Sequence, residues 1–148
     1  MIYSLYGQPA SGKTVLGRML AAAKLTTHHI DGDEFRVLFS NNNYGWDGRE
    51  KNIKNAIAVA TYLNNIQGQD VVLTLVNPYE NLRAELKQMN SGQAVEVLLA
   101  STRELKREFH VEGFEMGNPT ISLNTGTREE DAFETLINCM EEKGYIKQ

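Results

Sequence analysis

Eight residues near the start of the chain, Gly7 to Thr14, read G-Q-P-A-S-G-K-T and satisfy G-x-x-x-x-G-K-[ST] in full. Each residue type has a chemical reason. Glycines let backbone N–H groups turn toward a phosphate without a side-chain clash. A helix opening near Lys13 adds its dipole and its unpaired N–H groups. Lys13 can reach the β- and γ-phosphates as a point charge, and Thr14 can offer its hydroxyl to Mg²⁺. Gly7, Ala10, Ser11 and Gly12 supply the rest of the cradle. The chemistry this spacing predicts is nucleotide binding.

A second group of chemical residues follows at Asp31-Gly32-Asp33. Ligands of an open parallel sheet sit outside the carboxyl ends of its strands. A strand ending at this point therefore sets Asp31 and Asp33 beside the phosphate loop. One carboxylate can order Mg²⁺ through its water shell, and the other can accept a proton from an acceptor hydroxyl. Asp33 also suits a plain helix N-cap. Arg36 and Arg49 are the residue type for a bidentate grip on phosphate or carboxylate. Trp46, the only tryptophan, serves as a core lid or as a stacking platform for a base.

These residues need strands and helices in alternation to hold them. Ile2 to Tyr6 reads as a buried strand and Lys13 to Lys24 as a helix with Val15, Leu16, Met19, Leu20 and Ala23 on its apolar face. Thr26 to Ile30 reads as a second strand, with a short helix after Asp33 and a loop from Ser40 to Gly48. Gly48 to Gln67 is predicted as a long helix with Ile53, Ile57, Ala60 and Ile66 inward. Val71 to Val76 is the clearest strand. Asn77, Pro78 and Glu80 suit the N-cap, first-turn and capping-box positions of the next helix, whose stripe is Leu82, Leu86 and Met89. Strands over Ala94–Leu99 and Ile121–Leu123 and helices over Thr102–His110 and Thr127–Glu142 complete the pattern. The last helix turns Phe133, Leu136, Ile137 and Met140 inward. Five strands with helical crossovers predict a parallel α/β sheet with helices on both faces.

At 148 residues the chain fits one domain spanning 1–148, long enough to bury about 70% of its unfolded surface. A net charge of −4 weighs against broad contacts to a nucleic-acid backbone. The single cysteine, Cys139, excludes an intrachain disulfide framework. No apolar run approaches a membrane span, and MIYSLYGQPA lacks the features of a signal peptide. The expected location is the cytoplasm. His28 and His29 are adjacent, and side chains on successive strand positions face opposite ways, which speaks against a shared metal.

The series of motifs resembles the adenylylsulfate (APS) kinase family of P-loop kinases. GQPASGKT is followed by DGDEFR beside the family's D-G-D-N-x-R, and by YGW…REKNIKN beside L-G-F…R-E-x-N-I-R-R. VVLTLVNPYENLR is similar to a strand ending in S-P-[YF] with an arginine beyond it. VEVLLAS…VEGFE resembles V-E-V…P-K-G-L-Y, and PTISLNTG resembles P-E-L-x-L-D-T-G. The resemblance implies a P-loop nucleoside-kinase-like three-layer fold, ATP as phosphoryl donor with Mg²⁺, and a small hydroxyl-bearing nucleotide as acceptor. It implies that Lys13, Asp31 and Asp33 are catalytic, with Thr14 and Asp33 on the metal. Gly7, Ala10, Ser11, Gly12, Lys13, Thr14, Thr125 and Gly126 would hold ATP. Phe109 stands where the family has an arginine over the ATP base, with Arg107 or Arg103 as substitutes. Asp33, Arg36, Trp46, Arg49, Asn52 and Asn77 would face the acceptor, and a homodimer is allowed.

The chain departs from the family pattern in places. Asn77 replaces a serine and cannot be phosphorylated as one. Glu34 replaces an asparagine, and His110 an aspartate. The family's basic segment between K-G-L-Y and P-E-L clamps the acceptor with a lysine and a phenylalanine. Here only Glu115 to Asn118 separates Phe114 from Pro119. Three readings therefore stand side by side. The first is a kinase of adenylylsulfate. The second is a kinase of another hydroxyl, on a nucleoside, a sugar, a nucleic-acid 5′ end or a modified base. The third is a nucleotide-binding regulator without turnover.

Overall fold

The computed structural model describes residues 1–101 and 110–146. Its strands are β1 (Ile2–Gly7), β2 (His29–Asp31), β3 (Val71–Leu75), β4 (Ala94–Ala100) and β5 (Ile121–Asn124). Its helices are α1 (Lys13–Ala23), α2 (Gly32–Leu38), α3 (Trp46–Thr61), α4 (Glu80–Met89) and α5 (Glu129–Glu142). The sheet order is β2-β3-β1-β4-β5, and every pairing is parallel. The expected α/β fold is therefore present.

Alternation along each strand sends side chains to two separate cores. Tyr3, Leu5, Val72, Val97 and Leu99 pack with α1 and α5 on one face. Ile2, Val71, Leu73 and Leu75 pack with α3 and α4 on the other. Strands β1 and β3 are buried along their whole length. This is why they read as mainly apolar runs, broken only by Ser4 and Thr74, rather than as alternating ones.

Several expected boundaries move, each for a physical reason. Helix α3 begins at Trp46 rather than Gly48. Gly48 sits against the preceding loop, where a Cβ would lie 1.9 Å from the Asn43 carbonyl oxygen. The helix then passes into a π-helical turn, Tyr62–Ile66. The wider turn breaks the helical phase, so Ile66 is exposed and Asn64 buried. Asn64 bonds both the N-terminal amine (2.6 Å) and Asn90 (3.1 Å).

Asn77 is not an N-cap. Its backbone is left-handed (φ 45), and α4 starts three residues later behind Tyr79. The first N–H of α4, on Glu80, donates instead to the Glu115 carboxylate at 3.0 Å. Likewise α2 begins at Gly32, ahead of Asp33, so Asp33 lies in its first turn and is not the cap. Strand β2 is shorter than expected and takes in Asp31, and α5 starts at Glu129. Ala23 and Met89 lie exposed at the ends of their helices. The expected helix over Thr102–His110 falls largely outside the described residues.

Candidate active site

The phosphate loop joins β1 to α1 and is shaped by two tight places. At Gly7 a Cβ would lie 2.5 Å from the Leu99 carbonyl oxygen of β4, so only glycine allows β1 and β4 to run this close. Ala10 (φ 64) and Gly12 (φ 94) are both left-handed, which turns successive backbone N–H groups to one side. No side chain caps α1, so its first-turn N–H groups have no intrahelical partner. Ser11 is fully buried in the turn. The Lys13 ammonium donates to the Gln8 carbonyl at 2.8 Å and to Ser11 Oγ at 3.4 Å. Burial pulls the Lys13 pKa down from 10.5 to about 8, against the pull of Asp33 and Asp31.

Asp31 closes the site from the end of β2. Its Oδ1 accepts two hydroxyls, from Thr14 at 2.7 Å and from Thr74 of β3 at 2.8 Å. The Thr14 proton is thereby committed to Asp31, and its oxygen lone pairs are left to a cation. The Thr14 hydroxyl and the Asp33 carboxylate are hard oxygen donors of the kind that suits Mg²⁺. Among the described residues no group of three or more His, Cys, Asp or Glu forms a metal cage by itself. Asp33 is exposed on the first turn of α2.

A second cluster lies where α2, the following loop and the start of α3 meet. Arg36 Nη1 donates to the carbonyls of Asn41 (3.3 Å) and Asn43 (2.9 Å). Its guanidinium lies 4.1 Å from the centre of the Tyr44 ring. Arg49 donates to Tyr79 Oη at 2.9 Å and to the Tyr44 carbonyl at 3.1 Å. Trp46 is 56% exposed, with its ring 6.0 Å from that of Tyr79. Trp46 is thus no core lid. Asn52 donates to the Gly32 carbonyl at 3.2 Å.

Buried polar side-chain atoms without a hydrogen-bond partner are costly. Those found among the described residues are on Asn52, Asn55, Asn77 and Thr125. All but Asn55 are residues the sequence reading assigned to ligands. Thr125 and Gly126 follow β5, on the same edge of the sheet as the phosphate loop. Arg103 and Arg107 lie outside the described residues.

Sequence reading missed several neighbours. Gln8 pairs its side-chain amide with the backbone N–H and carbonyl of Val111, both at 2.9 Å. Tyr44 and Tyr79 seat the two arginines. Thr74 supports Asp31 across the β2–β3 register, where the two residues are paired. None of these carries a local motif, because each is defined by what lies opposite it.

A glycine-bearing loop between the first strand and first helix of a parallel sheet, with its lysine, its threonine and a carboxylate at the next strand end, defines a P-loop nucleotide-binding protein. The family model for adenylylsulphate kinase matches residues 1–118. The chain belongs to that family, and it is an ATP-dependent kinase. Among solved structures, Mycobacterium tuberculosis APS kinase CysC in complex with AMPPNP and APS superposes with a TM-score of 0.74 at 18% identity, over 95% of this chain and 96% of that one. A gluconokinase from Sinorhizobium meliloti 1021 gives 0.74 at 14% identity, over 97% and 93%. Shikimate kinase from Aquifex aeolicus gives 0.66 at 15%, over 98% and 99%. These likenesses establish the fold. No curated protein sequence matches the chain.

Proposed function

We propose that residues 1–148 form one kinase domain that transfers the γ-phosphoryl group of ATP to the 3′-hydroxyl of adenylylsulfate. The observation that carries this reading is the position of Arg49, braced on Tyr79 and Tyr44 beside the exposed Trp46. A guanidinium beside an open aromatic face suits an acceptor that is both anionic and a nucleotide.

The phosphate loop from Gly7 to Thr14 and the N-terminus of α1 grip the triphosphate. Lys13 leaves the Gln8 carbonyl and neutralises charge on the transferring group. Thr14 and Asp33, with Asp31 behind Thr14, would hold Mg²⁺, whose contribution is to offset the charge that develops on the phosphate oxygens. Asp33 accepts the proton of the acceptor hydroxyl. The acceptor oxygen then bonds to the γ-phosphorus, the bond from that phosphorus to the β–γ bridging oxygen breaks, and ADP leaves. Arg36, Arg49, Asn52 and Asn77 orient the acceptor, while Thr125 and Gly126 border the ATP base.

A second reading, phosphorylation of a hydroxyl on a larger acceptor, is favoured by one feature. Tyr44 and Trp46 are 67% and 56% exposed, and the segment from Gly113 to Asn118 is too short to cover them as a clamp. One assay separates the two readings. Purified protein is given ATP, Mg²⁺ and adenylylsulfate, and in parallel nucleosides, sugars and oligonucleotides. Formation of the 3′-phosphorylated product supports the first reading. Its absence, with turnover on another hydroxyl, supports the second.

A further inference from the structure

The mechanism leaves His29 without a role, yet this side chain ends a hydrogen-bonded chain that reaches the phosphate loop. His29 and Asp31 lie two apart on β2 and face the same side, toward α1. Thr74, paired with Asp31 in the sheet, faces that side as well. The His29 Nε2 is 2.8 Å from Thr74 Oγ1. Thr74 Oγ1 donates to Asp31 Oδ1 at 2.8 Å, and Thr14 Oγ1 donates to the same oxygen at 2.7 Å.

Proton counting fixes the direction of this chain. A threonine hydroxyl has one proton, and Thr74 gives it to Asp31. Thr74 Oγ1 must then accept from His29, so His29 carries a proton on Nε2. Every bond in the series points toward the Asp31 carboxylate. The arrangement is also tightly enclosed. At Gly17 of α1 a Cβ would lie 2.4 Å from Thr74 Cγ2 and 2.8 Å from His29 Nε2. Glycine at this position lets the helix close over the pair.

We propose that His29 is a positioning residue for the metal–nucleotide site, acting through Thr74 and Asp31 to keep the Thr14 hydroxyl turned inward and its oxygen lone pairs available to Mg²⁺. This rests on the kinase reading above for its functional consequence, and on the hydrogen-bond geometry alone for its structural content. Partners behind a metal ligand commonly matter by about ten- to a hundredfold in affinity.

Two measurements test it. In the metal-free protein, long-range proton–nitrogen NMR reports which ring nitrogen of His29 holds the proton. Nε2–H is expected, and in Thr74→Val this preference is lost. A neutral ring protonated on Nδ1 in the wild type overturns the proposal, whether or not the protein proves to be a kinase. The second measurement is Mn²⁺ binding in the presence of a non-hydrolysable ATP analogue, followed by electron paramagnetic resonance. His29→Leu and Thr74→Val should each weaken it by about tenfold. His29→Gln, which keeps a donor amide near the Nε2 position, should stay within about threefold of wild type. Wild-type affinity in both His29→Leu and Thr74→Val, or His29→Gln no better than His29→Leu, also overturns it. If His29→Leu fails to fold, Thr74→Val and the wild-type ring spectrum decide. A wild-type protein that binds no metal–nucleotide defeats the kinase reading instead.

Discussion

The Arg83 guanidinium lies 4.4 Å from the centre of the Tyr6 ring and ties two distant parts of the chain across that ring. Its Nη1 donates to the Asn77 carbonyl at 2.8 Å, and its Nη2 donates to the Glu115 carbonyl. On the other side, Tyr6 Oη donates to the Met116 carbonyl at 2.6 Å, and Phe114 stacks on its ring. Carbonyl partners and an aromatic face match this fully buried cation, which forms no ion pair with a carboxylate among the described residues. The segment replacing the family's longer insertion is therefore fastened to the core. Arg83→Met strips the buried Asn77 carbonyl and the part-buried Glu115 carbonyl of their donor. It should cost about 1–3 kcal/mol in urea unfolding. Hydrogen exchange at the Glu115 amide, which bonds the Pro78 carbonyl, should rise far more than exchange in β1.

The phosphate-loop lysine predicts an unusual pH response. Lys13 titrates at about 8 in the folded chain and near 10.5 when unfolded. Between these values the unfolded chain binds the extra proton, so stability rises with pH through that window. Lys13→Met should melt higher than wild type at pH 7, with the advantage shrinking from about pH 8 upward. The same substitution should abolish ATP-dependent transfer in a kinase assay. In the wild type, nucleotide affinity should fall as pH passes about 8, because the neutral amine attracts phosphate poorly. A calorimetric pH series with both proteins checks the melting and affinity changes.

Under the proposed mechanism Asp33 separates chemistry from binding. Asp33→Asn keeps the shape but removes the proton acceptor, so kcat should fall by about a hundredfold or more. ATP affinity should change by less than about threefold, because the loop and Lys13 carry most of that contact. Equal losses in both would make Asp33 a structural residue of α2.

Arg49 tests the acceptor side. Arg49→Lys retains the charge but not the planar fork that reaches Tyr79 and Tyr44 together. The acceptor KM should rise by about tenfold with the ATP KM unchanged. Trp46→Ala should do the same through loss of stacking. Steady-state kinetics with each substrate varied in turn distinguishes this from a general loss of activity.

The loop from Gly7 to Thr14 was legible because its residue types are dictated by sterics and charge at fixed spacing. The buried strands were legible because burial on both faces leaves an apolar run. Asn77 was not. Asn-Pro suits a helix start, but asparagine also tolerates a left-handed backbone. Here a bond from the Arg83 side chain, six residues on, to its carbonyl accompanies the second choice. The end of α3 was misread because a π-helical turn shifts the phase of the apolar repeat, and no residue type announces it. The support of Asp31 by Thr74, and of Thr74 by His29, depends on strand register, which local pattern does not encode.

The position of β1 has a consequence for how the molecule is made. It precedes the other four strands of the sheet in the sequence, yet it lies at the centre. Its Ile2 is matched with Val71 on one side and Ala94 on the other. The apolar segment Ile2–Tyr6 therefore waits, without a neighbouring strand, until the ribosome has passed residue 75 on one flank and 99 on the other. The nucleotide cradle hangs directly from that strand, so it takes its final shape only after most of the polypeptide exists. During that interval the nascent chain carries an unmatched sticky edge at β1, the period in which aggregation competes most directly with folding.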